Sequence, residues 1–189
     1  MATQAHKIWV HGHNIQIQNP ENFSIEWLGF YTRIGKAKVI DATYWFHFAI
    51  PTPVQVGAEP LGIKSVTIRF RVSGPDCQTV RVVSVHVYDA EVRIGQFDNL
   101  DLKPHDWQNA TLEFSLPKHL DFGLGVSVGV EFVGERSFGT LEQGYIEFSS
   151  AGGSFTDPRL VLAKQPEGIL FVEKPRYPNI LLDLTDLTT

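Results

Sequence analysis

Aromatic, imidazole and charged side chains occur at every second position in several short segments of the chain. That spacing puts them on one face of a β-strand, opposite the face that carries the apolar residues. An aromatic ring beside paired charges suits a polar, ring-bearing ligand such as a sugar, because the ring face stacks while hydroxyl groups need donors and acceptors. If the strands share one sheet, the predicted ligand-binding face consists of Trp45, His47, Arg69, Arg71, His86, Tyr88, Glu131, Tyr145 and Glu147.

Other interpretations of this face stay open. It could be a solvated surface with ordinary cross-strand ion pairs, or Trp45 and Tyr88 could be buried beneath the C-terminal segment. A catalytic alternative uses His47 or His86 with Glu131 as the acid–base pair of a small isomerase, cyclase or lyase. It requires an imidazole and the carboxylate within hydrogen-bonding distance in a concave pocket. Apart from this alternative, the sequence predicts no catalytic residue.

Residues 125–129, Gly-Val-Ser-Val-Gly, match the Gly-x-Ser-x-Gly pattern of a nucleophile elbow. The elbow needs a strained turn from strand to helix that lifts the serine out of the sheet. Here valines flank Ser127, the two-residue alternation continues through it, and no helical pattern follows. We therefore interpret the segment as a plain strand and reject the hydrolase motif.

Two groups of residues have side chains that metals prefer. His11 and His13 have chelating spacing if they lie on one strand, but no further ligand completes the set and Gly12 indicates a turn. Oxygen ligands that could bind calcium occur on a predicted loop, at Asp98, Asn99, Asp101 and Asp106. They lack the spacing of an EF-hand, so we expect solvated loop side chains. The sequence therefore predicts no metal site and no cofactor.

The composition favours one soluble domain without affinity for nucleic acid or membranes. A chain of 189 residues with 43% hydrophobic residues can bury a core of its own. The net charge of −5 argues against nucleic acid and anionic membranes as partners. No apolar run is long enough for a signal peptide or a membrane span, and the lone Cys77 is compatible with a reducing compartment. We expect a cytoplasmic protein and an inert thiol.

Apolar and polar residues alternate in at least five segments, and helical periodicity is almost absent. The alternation predicts strands at residues 43–50, 66–72, 79–89, 125–133 and 145–149, and shorter ones at 7–10, 14–18, 110–115 and 159–163. In the strand at 79–89, Val83 is expected to point inward and Val82 outward. A hairpin around Gly74 is expected to join this strand to the preceding one. The pattern predicts an all-β fold, a two-layer antiparallel β-sandwich of the jelly-roll-like kind.

The composition changes at Lys164. Three prolines interrupt two apolar patches at residues 169–172 and 180–182, and prolines at this density prevent a long helix. Exposing so many apolar residues is costly, so an extended segment should lie along its own sandwich or on a neighbouring subunit. The prediction is a β-sandwich domain at 1–163 and an extended C-terminal arm at 164–189. Through this arm we expect a homo-oligomer or a contact with a partner protein.

Five segments occur in a recognisable order: WVHG at 9–12, WFHFAIPTPV at 45–54, VHVYD at 85–89, FDNL at 97–100 and GLGVSVGV at 123–130. This order resembles a family of uncharacterised bacterial β-sandwich proteins over roughly residues 9 to 155. The family has no assigned reaction, so the resemblance implies the fold and no catalytic residue. The combined expectation is a non-catalytic protein that binds a carbohydrate, another small molecule or a partner protein.

Overall fold

The computed structural model describes residues 6–35, 37–38, 41–52, 55–56, 59–74, 76–133 and 144–156. The predicted arm at 164–189 and the predicted strand at 159–163 lie outside these residues. The described strands are β1 (His6–His11), β2 (Gln16–Ile17), β3 (Ser24–Leu28), β4 (Tyr31–Gly35), β5 (Ala42–Ile50), β6 (Gln55–Val56), β7 (Glu59–Pro60), β8 (Gly62–Ser73), β9 (Val80–Asp89), β10 (Val92–Phe97), β11 (Gln108–His119), β12 (Leu124–Phe132) and β13 (Tyr145–Thr156).

Helical structure in the described residues is limited to three 3-10 turns, at Gly12–Asn14, Pro20–Asn22 and Cys77–Thr79. None of these turns has the length or the apolar character of a helix that crosses a membrane.

The strands form two antiparallel sheets. Sheet A has the order β11-β8-β13-β4-β3, with β1 also paired to β13, and sheet B has the order β10-β9-β12-β5-β2. The short strands β6 and β7 pair only with each other within the described chain. Strands β4, β8, β11 and β13 of sheet A interleave along the chain with β5, β9, β10 and β12 of sheet B. The predicted two-layer antiparallel β-sandwich is confirmed.

The core lies between the two sheets and is built from the apolar side of each alternating strand. Phe148 of β13 packs against Phe46 and Phe48 of β5 in the opposite layer, with ring centroids 6.0 and 5.7 Å apart. Phe70 of β8 lies 6.1 Å from the same ring. All four rings are buried, and each contributes about 1.5–3 kcal/mol relative to an exposed ring. This packing holds the sheets together and leaves each with one outer face.

The predicted hairpin around Gly74 is wrong. Strand β8 belongs to sheet A and β9 to sheet B, so the chain changes layer between these two strands. The turn chemistry at 73–76 ends β8 but does not decide where the next strand pairs. Each strand has one apolar face. That face is buried in the core whether the two strands are neighbours in one sheet or lie in two facing sheets.

A β-bulge shifts the alternation of β9. Residues 129 and 130 of β12 lie opposite residues 84 and 82 of β9, which leaves one extra residue, Val83. Val82 is buried and Val83 is only partly buried, so the predicted orientations of these two residues are wrong. Val85 and Val87 point inward as predicted.

Candidate functional site

The structure divides the nine predicted ligand-binding residues between two outer faces. Sheet B carries Trp45, His47, His86, Tyr88 and Glu131, and sheet A carries Arg69, Arg71, Tyr145 and Glu147. The assumption that their strands share one sheet is therefore wrong. It fails because β5, β9 and β12 belong to sheet B whereas β8 and β13 belong to sheet A, so the two groups lie on opposite sides of the sandwich.

On sheet B, strand register brings the predicted residues into neighbouring rows. His47, Ser127 and His86 lie opposite one another across β5, β12 and β9. Two positions further along, Trp45 and Ser84 flank Gly129. The indole of Trp45 crosses β12 above Gly129 and reaches His86, with ring centroids 4.7 Å apart. The result is a flat aromatic surface beside an imidazole.

A shallow cleft of about 730 Å³ lies beside this surface. One wall is the segment after β10, which is attached to β9 by backbone hydrogen bonds. The amide of Leu100 donates to the carbonyl of Val83 at 2.9 Å, and Val82 and Leu102 exchange two bonds at 2.9 and 3.1 Å. The wall is therefore held in place by the sheet. Polar groups along the cleft come from Arg81, Ser84, His86, Asp98, Asn99 and Asp101.

Asp98 is fixed at the edge of the cleft. Its carboxylate accepts hydrogen bonds from the Gln96 amide and, at 2.8 Å, from Nε2 of His86. These bonds, Gln96 first, lower the pKa of Asp98 to about 2. The carboxylate is therefore ionised near neutral pH, and its hydrogen bond orients the His86 ring beside Trp45. In the sequence, Asp98 was considered as a solvated loop acid or a calcium ligand, and nothing local indicated its hydrogen bond to His86, twelve residues away.

The acid–base pair of the catalytic alternative is not formed. Glu131 binds Arg81, with Oε2 at 2.7 Å from Nε and 2.6 Å from a terminal guanidinium nitrogen. The hydrogen bond to Glu131 raises the pKa of Arg81. Glu131 lies four residues along β12 from the His47–His86 row, a distance on the order of 13 Å. The two histidines share a face, but neither reaches this carboxylate.

Ser127 forms a hydrogen bond to His47, with 2.8 Å between Oγ and Nδ1. Burial lowers the pKa of His47, which favours a neutral ring. In the part of the chain that the structure describes, no carboxylate pairs with His47 to complete a triad. Ser127 lies within continuous β12, so the interpretation of residues 125–129 as a plain strand is confirmed.

On sheet A, the predicted residue Glu147 is buried on the outer face. Its oxygens accept hydrogen bonds from Arg33 at 2.8 Å, from Ser73 at 2.9 Å and from Arg71. Burial raises the pKa of Glu147, but the bonds from the two arginines and the serine lower it more. Arg71 also lies 4.9 Å from the ring centroid of Trp107. These groups satisfy one another, which makes the cluster a structural element of the face.

Arg33 contributes to this cluster but was not predicted, because it lies on a strand that the alternation did not reveal. The remaining sheet A residues make simpler contacts. Tyr145 lies beneath the Arg33 guanidinium at 5.3 Å, and Arg69 donates to the side chain of Asn109 at 3.1 Å.

Four of the six residues considered as metal ligands, His11, His13, Asp98 and Asp101, contact other groups of the protein. The rings of His11 and His13 lie 4.5 Å apart, but Nδ1 of His11 accepts from the His13 amide and Nε2 of His13 bonds to the carbonyl of Leu28. Asp101 pairs with Arg81 at 3.6 Å and with Lys103 at 3.5 Å. Over the described ranges, no three side chains converge in the way a metal ion requires.

Two solved structures are similar to the chain in architecture. One is the carbohydrate-binding module TmCBM61 in complex with β-1,4-galactotriose, with 12% identity over 77% of this chain and 86% of that chain and a TM-score of 0.37. The other, described as "CBM4 structure and function", has 14% identity over 78% of this chain and 86% of that chain, with a TM-score of 0.37. Sequence identity and TM-score at this level identify neither a ligand nor a binding site in this chain.

No curated protein matches the chain. A family model covers residues 3–150, most of the described sandwich, and it agrees with the resemblance to an uncharacterised family. The chain therefore belongs to a family of unknown function, DUF6623.

Proposed function

We propose that this protein is a non-catalytic binding protein whose ligand site is the cleft beside Trp45 and His86 on sheet B. The ligand is a sugar ring or a similarly polar ring. The observation that carries the proposal is the position of Trp45. The Cη2 end of its indole lies over Gly129, and the ring lies 4.7 Å from His86, which Asp98 holds by a hydrogen bond.

The chemistry of the cleft matches the two kinds of surface on a sugar. The C–H face of a sugar ring stacks on an aromatic plane, and its hydroxyl groups pair with carboxylates, amides and guanidinium groups. Trp45 supplies the plane, while Asp98, Asn99 and Arg81 supply acceptors and donors along one edge. A volume of about 730 Å³ lies within the roughly 300–1,000 Å³ of small-molecule sites.

Preorganisation supports binding. The backbone bonds between residues 98–102 and β9 and the bulge at Val83 position the wall before any ligand arrives. Groups that are already ordered lose little conformational freedom on binding, so more of the contact energy appears as affinity.

The experiment is native affinity electrophoresis of the full chain in gels that contain a panel of soluble polysaccharides. We expect at least one neutral polysaccharide to retard the protein and Trp45→Ala to weaken this binding at least about tenfold, the effect of removing a central aromatic contact. Trp27→Ala is the matched control, because Trp27 is an exposed tryptophan on sheet A, away from the cleft. A Trp45→Ala variant that binds like the parent contradicts the proposal, and so does a lack of binding to every glycan.

A second part of the proposal concerns residues 164–189, which we treat as an arm separate from the β-sandwich domain at 1–163. The two apolar patches of the arm need a covering surface, and a second copy of the chain or a partner protein offers one. The test is deletion of residues 164–189 followed by light scattering of both forms. We expect a smaller particle after deletion. An unchanged mass with unchanged thermal stability contradicts a role for the arm in assembly.

A further inference from the structure

A second aromatic residue lies on the opposite side of the sandwich, on the outer face of sheet A. Trp9 of β1 is opposite Gly152 of β13, which is opposite Thr67 of β8. A Cβ atom on Gly152 would lie 2.7 Å from Cδ2 and Cε3 of Trp9, so the indole lies directly on the glycine. Its other side is open, and 45% of the residue is exposed to solvent. Trp9 and Trp45 are thus built in the same way, each over a glycine of the adjacent strand.

The side chains around Trp9 form a trough. The next row of the same face runs from Lys7 through Ser154 and Ser65 to Glu113. On the middle strands β13 and β8, small side chains line these two rows: Gly152, Ser154, Ser65 and Thr67. Longer side chains come from the outer strands β1 and β11 and from Lys64 of β8. The enclosed volume is about 320 Å³, at the lower end of the roughly 300–1,000 Å³ of ligand sites. The floor offers hydroxyl groups, two of which, on Thr67 and Thr111, bond to each other at 3.0 Å.

The trough has unpaired positive charge. Lys7 and Lys64 both line it, and neither forms an ion pair with any residue in the described part of the chain. Glu113 is the one carboxylate among the lining residues, so the charge of the lining is +1. The lining of the cleft on sheet B instead carries Arg81 with the two carboxylates Asp98 and Asp101, a charge of −1 with His86 neutral. The two faces therefore suit ligands of different charge.

We propose that the trough is a second ligand site, for a glycan that carries carboxylate groups, and that it acts independently of the cleft on sheet B. The indole of Trp9 stacks on a sugar ring, the hydroxyl groups of the floor bond to its hydroxyls, and the ammonium groups of Lys7 and Lys64 pair with the carboxylates. Because the trough and the cleft lie on opposite outer faces, one domain holds two glycan chains at once.

The test is native affinity electrophoresis of the full chain in gels containing polygalacturonate, alginate or hyaluronate, each compared with its carboxyl-reduced form. We expect at least one acidic polymer to retard the parent more than its reduced form does. Trp9→Ala should weaken this retardation at least about tenfold, the effect of losing a central aromatic contact. Trp27→Ala, a tryptophan variant of similar exposure outside the trough, should leave it unchanged. Trp45→Ala is measured in parallel to report on the cleft. The double variant Lys7→Gln, Lys64→Gln should remove the preference for the acidic form.

Thermal melting of each variant identifies loss of folding. If Trp9→Ala does not fold, the lysine double variant decides, because both lysines are exposed and support no part of the core. The proposal is overturned if no acidic polymer retards the parent, if the acidic and reduced forms act equally, or if Trp9→Ala binds like the parent. Loss of binding in Trp45→Ala also overturns it, because the cleft would then be the site. Failure of the proposal for the trough leaves the proposal for the cleft intact, because the cleft is tested separately, by Trp45→Ala on neutral polysaccharides.

Discussion

The Cη2 atom of Trp45 lies 3.2 Å from the position that a Cβ atom would occupy on Gly129. The end of the indole therefore lies over the backbone of Gly129, and a Cβ atom there would force its neighbours to shift by a few tenths of an ångström. Thr43 Cγ2 and Ser84 Cβ lie at the same distance of 3.2 Å, so the space above Gly129 is closed on three sides.

We expect Gly129→Val to displace the Trp45 ring and to weaken ligand binding about tenfold, or about 1.4 kcal/mol. The measurement is near-ultraviolet circular dichroism together with affinity electrophoresis. Gly125→Val is the control on the same strand and face, because a Cβ atom there meets only Tyr88, at an ordinary 3.6 Å. Equal spectra for the two variants would show that Trp45 does not depend on Gly129.

Replacing Glu147 should destabilise the fold. In Glu147→Gln, Arg33 and Arg71 lose a buried carboxylate, and we expect a loss of about 2–3 kcal/mol, slightly below the usual cost of breaking a buried ion pair because both guanidinium groups reach solvent. Urea unfolding measures the change. Glu113→Gln, on the surface of the same sheet, should change stability by less than about 0.5 kcal/mol. Similar values for the two variants would contradict a structural role for Glu147.

The stability of the protein should fall below neutral pH, in part because of His47. Burial lowers the pKa of His47, so the unfolded chain binds a proton at this residue more readily than the folded chain does. Its contribution to the free energy of unfolding is complete above about pH 6.5 and declines as the pH falls below that value. We expect the parent to lose more stability than His47→Gln between pH 8 and pH 5 in urea unfolding. Identical losses would show that His47 does not contribute.

Asp89 anchors the loop before β12. Its carboxylate accepts bonds from the amides of Asp121, Phe122 and Gly123 at 2.8, 2.9 and 3.0 Å. Burial raises the pKa of Asp89, but these bonds lower it more.

We expect Asp89→Ala to cost about 1–3 kcal/mol, because it leaves amide donors without partners. It should also speed chymotrypsin cleavage at Phe122, which is 71% exposed. Asp121→Ala keeps its backbone amide and should behave like the parent in both measurements. A cleavage rate in Asp89→Ala equal to that of the parent would show that the loop is held by other contacts.

The sequence of this protein determined the long strands β5, β8, β9, β11, β12 and β13 and the inward side of most of their residues. Alternation at 43–50, 66–72 and 125–133 is a local property of the chain, and the apolar side of such a strand must be buried wherever the strand pairs. Strands β3 and β4 were missed for the same local reason. The buried positions of β4 include Thr32, a polar residue that bonds to the carbonyl of Gly12, so the apolar alternation is weak there.

Only the tertiary structure decided which strands share a sheet. The same alternating pattern fits either layer, because pairing depends on loop paths and on how whole faces pack, and neither is encoded in a single strand. For that reason the nine predicted residues separate into two groups, and Val83 turns outward at a bulge. Trp45 could be recognised as a candidate from its type and position. Its support by Gly129 and its neighbours His86 and Asp98 exist only because β5, β12, β9 and the segment after β10 meet in sheet B.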